Sequence, residues 1–242
     1  MDKIVSKSLI VDKLHLLGLK EDALVVAHSS LRNFGYVIGG AETVIDALLE
    51  VVGEKGTVMM PTFTPSVSAS EFDLQKTSSE TGIITEAFRH RRGVIRSNDP
   101  RHSFAAIGKE AFTLIKGDYS KGTTRYIDGP LGRLYRNNGT ILLFGVGQRR
   151  NTSLHIAEEI AGMYTPSYHG EAFGKMDYVL KELGILKVER IGNSVTQFMK
   201  AKEIIDATVE ILYKDPLFLW CGNNNCKICA NMRREIKEKW GK

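Results

Sequence analysis

The stretch that decides the fold is Leu24–Leu31, LVVAHSSL, together with the residues that follow it up to position 64. Its apolar run Leu24–Ala27 is rich in valine and predicts a buried strand. After Gly39-Gly40, apolar residues recur at helical spacing from 41 to 52, which predicts a helix that packs one face on a sheet. A second apolar run at 57–60 predicts the next strand. Strand, helix and strand in this order predict a parallel βαβ unit, and such units bind ligands beyond the carboxyl ends of their strands.

The motif His28-Ser29-Ser30-Leu31 falls at such a strand end. Two small hydroxyl residues in a turn let backbone N–H groups and side-chain O–H groups converge on an anion. The sequence contains neither a Walker phosphate loop nor a dinucleotide-binding Gly-x-Gly-x-x-Gly after a strand. From these residues alone, an ordinary turn and a phosphate-binding turn both remain open.

A second strand end carries the strongest chemical signal. The apolar run at 140–145 predicts a strand, and the sequence NTSLHIAE follows at 151–158. We predict that Asn151 or Thr152 caps a helix that presents His155 and Glu158 three residues apart. An imidazole titrates near neutral pH and a carboxylate can fix its tautomer, so this pair is a candidate general base. A purely structural histidine is the alternative that the spacing leaves open.

These motifs, taken in order with GTVMMPT at 56–62, resemble the aminoglycoside (antibiotic) 3-N-acetyltransferase family, and the resemblance covers nearly the whole chain. It implies an α/β fold with a central mixed, largely parallel sheet flanked by helices, of the antibiotic N-acetyltransferase type and not the GNAT fold. Residues 1–220 are expected to form a single acetyl-CoA-dependent domain. Residues 221–242 are expected to be a basic, cysteine-containing tail, packed on that domain or appended to it.

The resemblance also implies an activity, namely transfer of the acetyl group of acetyl-CoA to a primary amine of an amino sugar, with no metal required. His155 would act as the base and Glu158 as its partner. The implied coenzyme contacts are Ser29, Ser30, Leu31, Thr62 and Ser103, and the implied acceptor contacts are Asp73, Tyr168, His169 and Glu171. A coenzyme A-binding module without transferase activity, or a hydrolase that uses the same pair on water, is the alternative. The intact pair and the absence of a Gly-x-Ser-x-Gly elbow argue against both.

Two single residues depart from the family pattern. Asp99 stands where the family has a histidine before Pro100, and His102 offers a second candidate imidazole. Gly129 replaces the usual serine before Pro130. Because proline suits the first turn of a helix, we predict that a helix begins there and that Asp128 caps it.

Composition limits the class of protein. The chain has 242 residues, 43% of them hydrophobic, which is enough for one large core. No apolar run is long enough to span a bilayer and the N-terminus lacks a signal-peptide core, so we expect a cytoplasmic protein with no membrane partner. Cys221, Cys226 and Cys229 are expected to be ordinary reduced thiols, and a metal site at these residues is the alternative left open.

Charge bears on the partners. The net charge is +5, but no basic stripe interleaved with aromatic residues is present, so we expect no nucleic-acid partner. The expected partner is a small-molecule amine, and the protein is expected to be a monomer or homodimer. Because the segment at 164–190 is nearly balanced in charge and the chain is basic, charge favours an anionic acceptor, such as a nucleotide-linked amino sugar, over a polycationic aminoglycoside.

Overall fold

The computed structural model describes residues 4–120, 126–162 and 176–215, together with residue 238. The predictions for Tyr168, His169, Glu171 and the three cysteines lie outside the described residues. The strands are β1 (Ile4–Val5), β2 (Leu24–Ser29), β3 (Tyr36–Val37), β4 (Thr57–Pro61), β5 (Ile95–Arg96), β6 (Phe104–Gly108), β7 (Thr140–Phe144), β8 (Lys187–Ile191) and β9 (Ser194–Lys200). The helices are α1 (Lys7–Leu17), α2 (Gly40–Val52), α3 (Ile83–Arg89), α4 (Ala111–Ile115), α5 (Pro130–Arg136), α6 (Leu154–Ile160), α7 (Met176–Glu182) and α8 (Ala201–Lys214).

The main sheet has the order β5-β6-β4-β2-β7-β9-β8, with β2 at its centre. β2 runs parallel to β4 and β7, which confirms the predicted βαβ unit and the mixed α/β sheet. The parallel part is confined to these three strands, because β6 and β9 return antiparallel beside β4 and β7. Strand β6 was not predicted from the sequence. It contains Ala105 and Ala106, and alanine is depleted in strands.

Helices cover both faces of the sheet. Val25 and Ala27 of β2 belong to one core cluster with residues of α1, α2 and α3. Val26 belongs to a second cluster with residues of α4, α5, α6 and α8. Because alternate residues of β2 face opposite layers and both layers are buried, the strand reads as a continuous apolar run. None of the described helices is long and apolar enough to cross a membrane.

Two predicted helix caps were wrong. α5 is capped by Gly129 and starts at Pro130, whereas Asp128 is the last residue of a 3₁₀ turn that precedes it. α6 is capped by Ser153 rather than by Asn151 or Thr152. Asn151 still contributes, because its Oδ1 accepts a hydrogen bond from the backbone N–H of Ser153 at 3.2 Å. A side chain two residues upstream therefore satisfies the buried backbone N–H of the cap residue itself.

Candidate active site

The two predicted strand ends meet at one edge of the sheet. Ser29, the last residue of β2, pairs with Phe144, the last residue of β7. Beyond this pair, the N–H of Ser30 donates to the carbonyl of Phe144 at 3.1 Å, and the Asn33 side chain donates to the carbonyl of Gly145 at 2.7 Å. The Ser-Ser turn and the loop that leads into α6 are therefore joined by hydrogen bonds.

His155 and Glu158 are brought together as predicted. His155 Nδ1 and Glu158 Oε2 are 2.5 Å apart, and the two residues are only 9% and 8% exposed. Because an ionised carboxylate can only accept, Glu158 holds the imidazole proton on Nδ1 and stabilises the imidazolium if the ring takes up a second proton. Burial strengthens this interaction, since little water screens it.

Tyr126 lies against the imidazole. The rings of Tyr126 and His155 stack with centroids 5.0 Å apart and an interplanar angle of 28°. The backbone N–H groups of Tyr126 and Ile127 both donate to the Glu159 carboxylate, at 2.9 and 2.8 Å. Neighbouring carboxylates of α6 thus have separate tasks, because Glu158 engages the His155 ring and Glu159 holds the turn whose tyrosine covers it. Sequence reasoning missed both Tyr126 and Glu159, although a second acidic residue in an apolar helix was a signal for the latter.

His102 extends this group of rings. Its ring centroid is 5.5 Å from that of Tyr126 and 5.3 Å from that of Phe63. Burial lowers the pKa of His102, and the nearby Asp99 carboxylate opposes that effect while His155 adds to it. The second candidate imidazole therefore lies within electrostatic reach of His155 and is biased toward its neutral form.

Asp99 has a structural task in this chain. Its Oδ1 accepts the backbone N–H groups of Arg101 and His102, at 2.8 and 2.7 Å. This is the geometry by which an aspartate stabilises a turn. The Asp99 carboxylate therefore shapes the turn that presents His102.

Thr62 and Ser103 are both completely buried. The Ser103 hydroxyl donates to the Thr62 carbonyl at 2.6 Å, and Arg96 Nε donates to the hydroxyl oxygens of Thr62 and Ser103 at 3.2 and 3.1 Å. Direct donation from these hydroxyls to a coenzyme would require this network to open. Their assignment as coenzyme contacts stays a prediction.

Arg96 also anchors the loop at 65–81, which carries Asp73. Its guanidinium donates to the Thr77 carbonyl at 2.6 Å and lies 5.0 Å from the centroid of the Phe72 ring. Asp73 is exposed, and its Oδ1 accepts the N–H groups of the residues two and three positions further on, Gln75 and Lys76. Those hydrogen bonds lower the pKa of Asp73, so this predicted acceptor contact is an ionised carboxylate on an anchored loop.

Ser29 and Ser30 offer hydroxyl groups at the edge where β2 ends. The Ser29 Oγ is shielded from solvent and has no hydrogen-bond partner among the described residues. Ser30 precedes the 3₁₀ helix Leu31–Phe34, and its side chain makes no capping bond. A buried hydroxyl without a partner costs free energy, so a ligand that accepts from Ser29 would be favoured at this position.

His28 is a further buried imidazole next to this turn. It is 4% exposed, and its Nε2 has no partner among the described residues. Burial lowers its pKa from 6.5 to about 4. In the unfolded chain the pKa returns to about 6.5, so the unfolded state binds more protons between these values and stability falls as the pH drops through that window.

When the pH is lowered from 7 to 5, we expect protonation of His28 in the unfolded chain to reduce the free energy of unfolding by about 2 kcal/mol. Urea unfolding at the two pH values measures it. The variant His28→Met should lose this part of the pH dependence, whereas His15→Met, on the exposed face of α1, should retain it. An unchanged pH dependence in His28→Met would contradict the assignment.

Within the described ranges, the structure contains no group of three or more His, Cys, Asp or Glu side chains that could hold a metal ion.

The amino-acid sequence is similar to those of known acetyltransferases. The family model for aminoglycoside 3-N-acetyltransferase matches residues 26–170, more than half of the chain. Aminoglycoside N(3)-acetyltransferase IX of Micromonospora chalcea is 34% identical over 180 residues, which are 65% of this chain and 63% of that protein. The matched region thus spans less than two thirds of this relative.

Solved structures extend the likeness to the whole fold. The apoenzyme of the aminoglycoside acetyltransferase AAC(3)-IVa superposes with a TM-score of 0.88 at 26% identity, and covers 98% of this chain and 100% of its own. A mutant of the same enzyme in complex with apramycin gives a TM-score of 0.81 at 25% identity, over 93% of this chain and 100% of its own. These neighbours confirm the predicted antibiotic N-acetyltransferase type of fold. The chain belongs to the aminoglycoside 3-N-acetyltransferase family.

Proposed function

We propose that this protein transfers the acetyl group of acetyl-CoA to a primary amine of an amino sugar. The observation that carries the proposal is the buried His155–Glu158 pair, which lies on the helix entered from the same sheet edge that holds the unpartnered Ser29 hydroxyl. Family membership and the fold shared with AAC(3)-IVa, which has been solved with apramycin, support it.

In the proposed mechanism His155 is the general base. When bound, acetyl-CoA supplies the thioester carbonyl carbon that the amine nitrogen attacks. With Nδ1 engaged by Glu158, Nε2 is the ring nitrogen that would take the proton from the amine as the C–N bond forms. The C–S bond of the thioester would then break, and coenzyme A would leave as a thiolate that takes up one proton. Tyr126 and Glu158 fix the plane and the tautomer of the ring, so little reorganisation is needed when the proton moves.

The coenzyme is proposed to bind at the Ser29-Ser30-Leu31 turn. The unpartnered Ser29 hydroxyl can donate to an anionic oxygen, and Ser30 makes no capping bond that would compete for its own hydroxyl. The exposed side chain of Arg32 adds a positive charge one residue further on. A hydroxyl group and a guanidinium at a strand end suit a phosphate-bearing ligand.

We expect Ser29→Ala to raise the KM for acetyl-CoA by about 5- to 20-fold, because it removes a hydrogen bond to a charged group worth about 1–2 kcal/mol. The effect on kcat should be small, because this bond would be made in the ground state and in the transition state alike. Steady-state kinetics and calorimetric titration with coenzyme A measure the two effects. Thr196→Val is the matched control, since it removes another buried hydroxyl, on β9, that has no partner among the described residues. Unchanged affinity for coenzyme A in Ser29→Ala would move the coenzyme site elsewhere.

The loop that carries the predicted acceptor contact Asp73 favours a cationic acceptor more than the whole-chain charge suggests. The anchored loop at 65–81 carries three exposed carboxylates, Glu71, Asp73 and Glu80, against one lysine, Lys76. Hydrogen bonds from Ser68 lower the pKa of Glu71, as those from the turn do for Asp73. Arg89 and Arg96 donate to backbone carbonyls of this loop and offset part of that charge. Exposed carboxylates attract polycationic aminoglycosides, which supports them as the acceptor class. The preference for nucleotide-linked amino sugars stays a prediction from the net charge.

The test is a thiol-release assay with acetyl-CoA and a panel of aminoglycosides, simple amino sugars and nucleotide-linked amino sugars at fixed ionic strength. Release of coenzyme A that depends on an amino sugar, with the N-acetylated product detected by mass spectrometry, supports the proposal. A tenfold higher kcat/KM for aminoglycosides, about 1.4 kcal/mol in transition-state binding, would decide for them and against the anionic acceptors. Release without any amine would identify a hydrolase, and no release would identify a binding module.

A further inference from the structure

A chain of hydrogen-bonded side chains connects α7 to the start of α6. Asp177 Oδ1 on α7 accepts from Gln197 Nε2 on β9 at 3.0 Å. Gln197 Oε1 accepts from Gln148 Nε2 at 2.8 Å, and Gln148 Oε1 accepts from Asn151 Nδ2 at 2.9 Å. Asn151 Oδ1 in turn accepts the backbone N–H of Ser153 at 3.2 Å. The three amides form an unbroken path between the carboxylate and the first residues of the helix that carries His155.

The amide side chains of this path are buried. Gln148 is 1% exposed, Asn151 is 2% exposed and Gln197 is 6% exposed. Burial also raises the pKa of Asp177, which the hydrogen bond from Gln197 opposes. Buried amides are costly unless their donors and acceptors are satisfied, so each member depends on its neighbours.

The direction of the path is fixed from both ends. An ionised carboxylate only accepts hydrogen bonds, so Gln197 must turn its NH₂ group toward Asp177 and its carbonyl toward Gln148. A backbone N–H only donates, so Asn151 must turn its carbonyl toward Ser153 and its NH₂ group toward Gln148. Both requirements orient the Gln148 amide in the same way. One arrangement therefore satisfies every member of the path.

From this geometry we propose that Gln148 is a positioning residue for His155. Gln148 lies in the 3₁₀ turn Gln148–Arg150 between β7 and α6, and its side chain ties that turn to β9. Through Asn151 the path sets where α6 begins, and His155 lies in the first turn of that helix. The proposal rests on the proposed function, because it assigns an effect on turnover to the placement of His155.

The first test replaces Gln148 with leucine. Gln148→Leu leaves Asn151 Nδ2 and Gln197 Oε1 without this hydrogen-bond partner. We expect kcat to fall by roughly 10- to 100-fold, because a small displacement of a catalytic group such as His155 has an effect of this order. The KM for acetyl-CoA should stay within about twofold, since uniform coenzyme binding is unaffected. Thr208→Val is the control, because it removes a buried side-chain hydrogen bond on α8 that is outside the path, and it should leave kcat unchanged.

The second test reverses the polarity of the path. The variant Gln148→Glu is measured at a pH high enough to ionise the new carboxylate, which can only accept hydrogen bonds. Gln197 must then turn its NH₂ group toward residue 148. This turns the Gln197 carbonyl oxygen toward the Asp177 carboxylate, and two acceptors face each other. We expect kcat to fall by roughly tenfold or more for this variant. Adding Asp177→Asn supplies an NH₂ group for the reversed Gln197, so the double variant should regain most of the lost activity. Failure of the double variant to recover kcat in a folded protein would overturn the proposal.

An NMR measurement separates this proposal from the proposed function. The Cε1–H signal of His155, assigned by its absence in His155→Ala, should move in Gln148→Leu and stay in place in Thr208→Val. An unmoved signal in Gln148→Leu would overturn the positioning role whatever the kinetics show. If His155→Ala retained full transferase activity, the proposed mechanism would fail, while a moved signal would still support the positioning of the ring.

Discussion

Replacing His155 with alanine is expected to lower kcat for acetyl transfer by roughly 10²- to 10⁴-fold, the usual effect of removing a positioned acid–base group. The imidazole is held by Glu158 on Nδ1 and covered by Tyr126, so no other described side chain is placed in the same way to take over its proton. The affinity for coenzyme A should change little, because the Ser-Ser turn is left intact. Initial rates with a saturating aminoglycoside and calorimetric titration with coenzyme A measure the two quantities.

A graded series sharpens this prediction. Glu158→Gln keeps the size of the side chain, but its amide is neutral and no longer stabilises an imidazolium, so we expect a smaller loss than in His155→Ala, of roughly 10- to 100-fold. His90→Ala, which removes an exposed imidazole paired with Glu86, is the control and should keep wild-type activity. Residual activity of His155→Ala within a few-fold of the wild type would rule out the assignment of the base.

Sequence alone predicted the parts of the site that are local in the chain. His155 and Glu158 are three residues apart in one helix, so helical geometry places them together regardless of the rest of the fold. The Ser29-Ser30 turn was located in the same way, because the end of a buried strand is visible as the end of an apolar run. The two strand ends meet at one edge because β2 and β7 pair in parallel, as Ser29 opposite Phe144 shows, and this pairing was not predicted from the sequence.

The contacts made across the fold could not be predicted in this way. Tyr126 reaches His155 from 29 positions earlier in the chain, and nothing in the residues around it marks it as a stacking partner. Gln148 and Gln197 are 49 positions apart and bond only because β7 and β9 pair side by side. The Asp99 turn was visible as a departure from the family pattern, but its task depends on the N–H groups of Arg101 and His102 pointing at one oxygen.

Helix caps were mispredicted for a related reason. Asp128 and Asn151 are residue types that favour caps, and each lies just upstream of the helix that it was expected to cap. In the structure Asp128 is taken up by a 3₁₀ turn, and Asn151 reaches the helix through its side chain from two residues further out. Local propensity predicts the start of a helix to within about one or two residues, while tertiary contacts determine the residue at which the helix begins.

Replacing Gly132 with alanine is expected to destabilise the protein by about 3 kcal/mol, the upper part of the range for overpacking a buried site. Gly132 is buried in α5, where an added Cβ would lie 1.8 Å from the carbonyl oxygen of Ile127 and 2.3 Å from its carbonyl carbon. That backbone is restrained, because the Ile127 N–H donates to Glu159 at 2.8 Å and the Ile127 carbonyl accepts from Arg136 at 2.8 Å. The turn can move only by breaking these bonds.

The same displacement should reduce activity, since the Ile127 turn carries Tyr126, which stacks on His155. Urea unfolding measures the loss of stability, and kcat measured well below the unfolding transition reports the effect on the site. Gly147→Ala is the matched control for stability, because an added Cβ there meets no atom of the described residues within 4 Å and the residue has an ordinary backbone conformation. If Gly132→Ala had wild-type stability, the turn at Tyr126 and Ile127 could move without a loss of free energy. This result would contradict a rigid connection between α5, that turn and α6, on which the placement of the His155 ring depends.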